Sequence, residues 1–131
     1  MIIGVPKEIK AGENRVAITP GAVTAFVNKG HRVLVETGAG QGSGIEDDEF
    51  RHFGAEIVPT AKELYERAEM IYKVKEPQPA EYDLLREGLI LFAYLHLAAE
   101  PEVARVLIEK KVAALAYETV VVNGTIPMLA P

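Results

Sequence analysis

Short apolar runs, several of them β-branched, alternate along this chain with longer amphipathic stretches. Ile2 to Val5 reads as a first strand. Thr19 followed by Pro20 is a good helix N-cap with proline at the first helical position. Ala22, Val23, Phe26 and Val27 then fall on one helical face, and Gly30 stops the helix at Lys29. Arg32 to Glu36 reads as the second strand. Strand, helix and strand at this spacing form a tight βαβ unit, which is right-handed and makes the two strands parallel.

The same rhythm continues. After a glycine-rich loop, a short acidic helix is predicted from Ile45 to Phe53, closed by Gly54. A strand over Glu56 to Val58 leads to Thr60, which caps a helix running to about Ala68. Met70 to Val74 is predicted as a strand, Ala80 to Leu85 as a short helix and Leu89 to Leu95 as a buried strand. Glu100-Pro101 opens a further helix, with Val103, Val106, Leu107 and Val112 covering the sheet. A strand over Val112 to Tyr117 follows. Two last strands, Thr119 to Val122 and Thr125 to Leu129, are expected to pair as a hairpin around Asn123-Gly124. Strands and helices alternating in this way predict an α/β fold with an open parallel sheet flanked by helices, Rossmann-like or flavodoxin-like.

Composition narrows the function. At 131 residues the chain is one domain, and it buries roughly two-thirds of its extended surface on folding. Its 14 Lys and Arg against 19 Asp and Glu leave a net charge of −5, which argues against a dedicated nucleic-acid binder. The absence of cysteine excludes disulfides, thiolate metal sites and cysteine nucleophiles. His31, His52 and His96 are too dispersed to predict a metal site, and His31 and His52 read as superficial. Pro6, Lys7 and Glu8 interrupt the apolar start before a signal-peptide core can form, and Leu89 to Ala99 is too short to cross a bilayer. A cytoplasmic location is therefore the expectation.

Gly38-Ala39-Gly40-Gln41-Gly42-Ser43-Gly44 follows a strand and precedes a helix, as a dinucleotide-binding loop does. Counted from Gly38 the required sixth position is Ser43, and from Gly40 it is Ile45. The acidic start of the next helix would repel phosphate. This loop reads as a turn and a crevice wall.

Ligands of open α/β sheets bind outside the carboxyl ends of the strands. The loop Pro6 to Pro20 lies there and carries Lys7, Glu8, Lys10, Glu13 and Arg15. Arg15 offers either a two-pronged donor for a carboxylate or a surface arginine pairing with Glu13 or Glu8. Lys73 and Lys75 share one face of the strand over residues 70–74. A lysine there needs an anionic partner, and Glu76 is the obvious structural one. Lys75 is the better site candidate, because it stands at the strand's end. His96 closes a nearly wholly apolar strand, and imidazole exchanges a proton near neutral pH. Glu118 is read as structural. Two cations and a proton donor meeting in one pocket describe a site for a small carboxylate bearing a carbonyl or an amine.

Gly4-Val5-Pro6-Lys7-Glu8 and Glu13-Asn14-Arg15-Val16-Ala17-Ile18-Thr19-Pro20 resemble the opening of the superfamily of alanine dehydrogenases and proton-translocating transhydrogenases. Glu36-Thr37-Gly38-Ala39-Gly40 fits both branches. Lys73-Val74-Lys75-Glu76-Pro77, Leu95-His96-Leu97-Ala98 and Ala116-Tyr117-Glu118-Thr119 favour the alanine dehydrogenase branch. The resemblance implies an NAD-dependent oxidoreductase that interconverts L-alanine with pyruvate and ammonium. By motif, Arg15 and Lys75 would hold the substrate's carboxylate or the neighbouring oxygen. His96 would hydrogen-bond the pyruvate carbonyl and assist proton transfer.

The resemblance further implies that residues 1–131 are an N-terminal substrate-binding domain. The NAD-binding domain and a returning C-terminal segment would belong to a longer, hexameric parent, and this chain by itself would be inactive. The apolar end Met128-Leu129-Ala130-Pro131 fits either such a parent or a terminal strand tucked into the sheet. The alternatives are the corresponding domain of a transhydrogenase α subunit and a stand-alone module that binds a small carboxylate.

Overall fold

The computed structural model describes residues 1–130; Pro131, the end point of the predicted domain, lies outside them. Six parallel strands form one sheet in the order β3-β2-β1-β4-β5-β6. They are β1 (Ile2–Val5), β2 (Arg32–Glu36), β3 (Glu56–Val58), β4 (Met70–Tyr72), β5 (Ile90–Ala93) and β6 (Ala113–Ala116). Four α-helices connect them: α1 (Pro20–Asn28), α2 (Asp47–His52), α3 (Ala61–Arg67) and α4 (Pro101–Glu109). The predicted α/β class and the parallel sheet are both present.

Local chemistry explains the helix boundaries. The Thr19 hydroxyl accepts the Ala22 N–H at 3.3 Å, and the Thr60 hydroxyl accepts the Glu63 N–H at 3.2 Å, so each satisfies one orphan donor of a first turn. Gly30, at φ +87°, ends the turn after α1 in a conformation that costs glycine little. Glu46 and Glu49 cap α2 reciprocally, which starts it at Asp47 rather than at the predicted Ile45. The predicted helix over residues 80–85 is a 3-10 turn, Pro79–Leu84.

Alternation in the strands covers the sheet on both faces. Val33 and Val35 of β2 join Val5, Ile18, Val23 and Phe50 in one cluster with α1 and α2. Leu34, between them, joins Leu64, Ile71, Leu91, Val103 and Leu107 in the other, with α3 and α4. β1 passes α3 so closely that Gly4 is required. A Cβ there would stand 2.8 Å from the Ala68 Cβ and 2.9 Å from Leu64 Cδ2.

The predicted C-terminal hairpin is not formed. Tyr117–Thr119 is a 3-10 turn, and a single antiparallel bridge joins Val122 to Thr125. The turn itself is as expected, with Asn123 and Gly124 at φ +51° and +76°. A ladder does not extend from it, because Pro127 has no N–H to donate and Leu129 and Ala130 donate back to the Ile126 carbonyl.

Candidate functional site at the strand carboxyl ends

Connections from β1 run through β2 to β3 on one side of the sheet, whereas β4, β5 and β6 extend the other side. The boundary between β1 and β4 is thus the topological switch point, where the loops leaving adjacent strands diverge and open a crevice. The loop after β1 carries Glu8, Lys10, Glu13 and Arg15. The loop after β4 carries Lys73, Lys75 and Glu76.

Side chains fasten these two loops together. Glu8 accepts the Lys73 ammonium at 2.6 Å, the Val74 N–H, and the Lys75 N–H at 3.1 Å. Lys10 forms an ion pair with Glu76, which raises the pKa of the Lys10 ammonium. Lys73 is fully buried and also reaches Glu81 at 3.0 Å, and Glu81 in turn accepts the Tyr65 hydroxyl at 3.1 Å. Burial in this network pushes the Tyr65 hydroxyl well above its ordinary value. Lys73 is therefore held by the protein's own anions. Glu76, the expected partner of Lys75, is committed to Lys10.

A turn from Lys10 to Glu13, with Gly12 at φ +79°, presents the Glu13 carboxylate to Arg15. Glu13 accepts the Arg15 backbone N–H at 2.9 Å, Nε at 3.0 Å and Nη2 at 2.6 Å. These hydrogen bonds hold the Glu13 carboxyl down at about 2 and push the guanidinium up. Arg15 lines a cleft of about 290 Å³ with Val16, Ala17, Ile45 and Tyr94. Tyr72 and Tyr117 complete its aromatic side. Tyr72 stacks on Phe92 at 5.7 Å, and Tyr117 meets Tyr94 edge-on at 4.6 Å. The Tyr117 hydroxyl donates to the Lys73 carbonyl at 2.6 Å, and the Tyr94 hydroxyl donates to the Met128 carbonyl at 2.5 Å.

His96 stands just past β5 at φ +49°, a left-handed conformation uncommon away from glycine. Glu118 fixes it there, accepting the His96 N–H at 2.7 Å and the Leu95 N–H at 3.0 Å. Burial opposes ionisation of Glu118, but its own backbone N–H and those of His96 and Leu95 outweigh it and keep the carboxyl low. The His96 carbonyl accepts from Ala99 and Glu100, both at 2.9 Å. The backbone is thus tied on both sides, and the residue remains exposed. His96 lines a second cleft, with Leu97, Ala98, Ala99, Glu118 and Thr119.

The expectation of one shared pocket is not met in this chain. Arg15 and His96 line neighbouring clefts, and Lys75 lines neither. Locally, Glu13 takes the Nε edge of the Arg15 guanidinium, and Glu118 takes the backbone N–H of His96. The three are nevertheless linked around one rim. Tyr94 lines the Arg15 cleft and stacks on the His96 ring, with centroids 6.3 Å apart. The charge of Lys75 acts on Glu13, next to Arg15. His52 is exposed as expected. His31 is half-buried against Phe26, at 6.2 Å, and is less superficial than predicted. Among the described residues no group of His, Asp and Glu is placed to hold a metal ion, and no helix is long and apolar enough to cross a membrane.

The glycine loop does not fit a dinucleotide. Asp47 already takes the Gly38 N–H at 2.9 Å and the Thr37 hydroxyl at 2.6 Å. Burial opposes ionisation of Asp47, but these bonds outweigh it, so a charged carboxylate stands where a phosphate would sit. Gly40 and Gly42 serve packing instead: Cβ atoms there would meet the Ile45 and Asn14 carbonyl oxygens at 2.6 and 2.7 Å. The loop walls a polar cleft that also contains Lys7, Glu13 and Arg15.

Residue-level reasoning missed the Glu8–Lys73–Glu81 network. Its signal was the sheet order. Gly4 pairs with Ile71, so the residues that follow β1 and β4 leave the sheet side by side.

An open parallel sheet with charged loops at its switch point, and an exposed histidine past the next strand, β5, defines an α/β domain with a crevice at the strand carboxyl ends. The chain belongs to the family described as "Alanine dehydrogenase/PNT, N-terminal domain", which matches residues 4–131. It is 60% identical to the alanine dehydrogenase of Bacillus subtilis (strain 168), covering 100% of this chain and 34% of that protein. It is 57% identical to the alanine dehydrogenase of Methanococcus maripaludis, covering 100% of this chain and 35% of that protein. A solved L-alanine dehydrogenase superimposes with a TM-score of 0.92 at 48% identity, over 97% of this chain and 35% of the other. A transhydrogenase from Sinorhizobium meliloti gives 0.84 at 30% identity, over 90% of this chain and 35% of that one. The chain spans about a third of the length of the curated relatives it matches.

Proposed function

We propose that residues 1–131 form the substrate-binding domain of an NAD-dependent L-alanine dehydrogenase, which converts L-alanine to pyruvate and ammonium. The observation that carries this reading is the identity of 60% to the Bacillus subtilis alanine dehydrogenase along the whole chain. The higher identity and TM-score of the L-alanine dehydrogenase structure, compared with the transhydrogenase, favour this branch over the other. The cofactor is held by chain outside these residues, since the glycine loop is unsuited to a pyrophosphate. The active protein is a longer, cytoplasmic homo-oligomer.

The work of this domain is then to bind and orient. Arg15 offers a planar fork to the substrate carboxylate, and Lys75 adds a point charge for the same group or the adjacent oxygen. His96 hydrogen-bonds the carbonyl oxygen and carries a proton to or from it during imine and carbinolamine chemistry. Both cations polarise the carbonyl carbon, and fixed backbones at residues 15 and 96 remove the entropy of finding the geometry. The left-handed backbone of His96 is a strained state of the kind that concentrates at functional sites.

The test is made on the complete gene product carrying this chain, following alanine-dependent reduction of NAD and, in reverse, oxidation of NADH by pyruvate and ammonium. R15L is expected to raise the KM for pyruvate, and H96A to lower kcat by about 10²- to 10⁴-fold. Retention of wild-type kinetics by both variants, or hydride exchange between nicotinamides without any use of alanine, would overturn the reading.

A further inference from the structure

The Arg15–Glu13 pair bears directly on how a substrate carboxylate is received. A guanidinium has two edges that can each grip a carboxylate in two places: one made of Nε and one Nη, the other of the two Nη groups. Glu13 occupies the first, with Nε at 3.0 Å and Nη2 at 2.6 Å. The same carboxylate also accepts the Arg15 backbone N–H at 2.9 Å, so one anion holds both ends of the residue. The Glu13 side chain is only 6% exposed, against 61% for Arg15. The anion is therefore the buried, fixed partner, and the cation is the one presented to solvent. What remains of the fork is Nη1 with the second N–H of Nη2, free of protein acceptors among the described residues.

We infer that Glu13 is a positioning residue: it claims the Nε edge of Arg15 so that the outer Nη edge faces the crevice as a preset receptor for the substrate carboxylate. This rests on the proposed function above. Three observations support it besides the hydrogen bonds. Lys75, the second cation assigned to the substrate, also lowers the pKa of the same carboxylate, after the larger effect of Arg15. The carboxyl stays ionised at any pH near neutrality, held down by the Arg15 hydrogen bonds. The turn that places Glu13 depends on Gly12 at φ +79° and on a Glu13 N–H to Lys10 carbonyl bond, and Lys10 is itself tied to Glu76 across the crevice. Glu13 thus transfers the fixed geometry of the loop after β4 to the guanidinium.

A charge-assisted hydrogen bond contributes enough that losing the orienting anion is expected to cost about tenfold or more in ligand affinity. In the complete gene product, E13Q is expected to raise the KM for pyruvate about tenfold or more while kcat falls less. E13D, which keeps the charge on a shorter arm, should recover part of the loss. The double variant E13Q/R15L should be no worse than R15L, because Glu13 acts only through Arg15. A KM that is unchanged in E13Q overturns the inference. A KM that falls also overturns it, since Glu13 would then be an internal competitor for the fork. The R15L control separates the two readings: if R15L leaves KM untouched, the role of Arg15 itself has failed. If R15L raises KM and E13Q does not, only the role of Glu13 has.

Discussion

Lys73 is costly to disturb. Its ammonium has no exposure and lies between two carboxylates, Glu8 at 2.6 Å and Glu81 at 3.0 Å. Removing one member of a buried ion network leaves the rest uncompensated, at a cost of about 3–5 kcal/mol. K73M is accordingly expected to lower the unfolding free energy by that much in urea titrations. K75M, which removes a lysine outside this network, should shift it by about 0.5 kcal/mol or less. In the sequence the two lysines share one face and differ only in that Lys75 stands at the strand's end, which marks Lys75 as the site candidate but gives Lys73 no partner. What separates them is the position of Glu8, and that follows from β1 and β4 being neighbours. The Glu13–Arg15 pair, by contrast, was legible as one of two open readings, because the partners are two residues apart. Its use of one edge of the fork was not, since that depends on how the turn at Gly12 aims the carboxylate.

At the scale of elements, capping residues and glycines mark boundaries well in this chain. Thr19, Thr60 and Glu100-Pro101 start helices where their chemistry says they should. The hairpin fails for a reason of the same kind. Asn123-Gly124 supplies the turn, but the exposed Val121 and Val122 and the proline at 127 leave nothing to reward a ladder. The predicted strands overrun β4 and β5 for a different reason. The last bonds between these two segments run from the Lys73 N–H to the Phe92 carbonyl and from the Tyr94 N–H to the Val74 carbonyl, and the Leu95 N–H then turns away to Glu118. β1 passes the end of α3 closely at Gly4. G4A would force α3 outward, since the Ala68 Cβ has no rotamer by which to yield. An overpacking cost of about 1–3 kcal/mol is expected and can be read as a lowered thermal midpoint. An unchanged midpoint would mean that α3 is held far more loosely than its contacts imply.

The whole molecule has two unlike edges. β3 has three residues, and its Glu56 bridges Arg32 at 3.1 Å and Arg67 at 2.7 Å, which charges and blocks that side. β6 reads Ala113-Ala114-Leu115-Ala116, with its first three residues exposed and no charge of its own. Uncharged edges of this kind pair with other chains. Light scattering on residues 1–131 alone is expected to show association that grows with concentration, and L115K should suppress it. An L115K variant that associates as readily would show that the β6 edge is not the contact. The overall order of the sheet was not legible beyond the first βαβ unit. Alternation predicts parallel strands but leaves open on which side of β1 each later strand is added, and the switch point is decided by that choice.

Two of the three phenols of the crevice wall are already spent. Tyr94 gives its hydrogen to the Met128 carbonyl, and Tyr117 gives its own to the Lys73 carbonyl, with burial driving that hydroxyl still further from ionisation. Each ring is therefore a partition and not an acid. On the proposed function, proton traffic through this part of the rim falls to the exposed imidazole of His96, whose ring lies 6.3 Å from that of Tyr94.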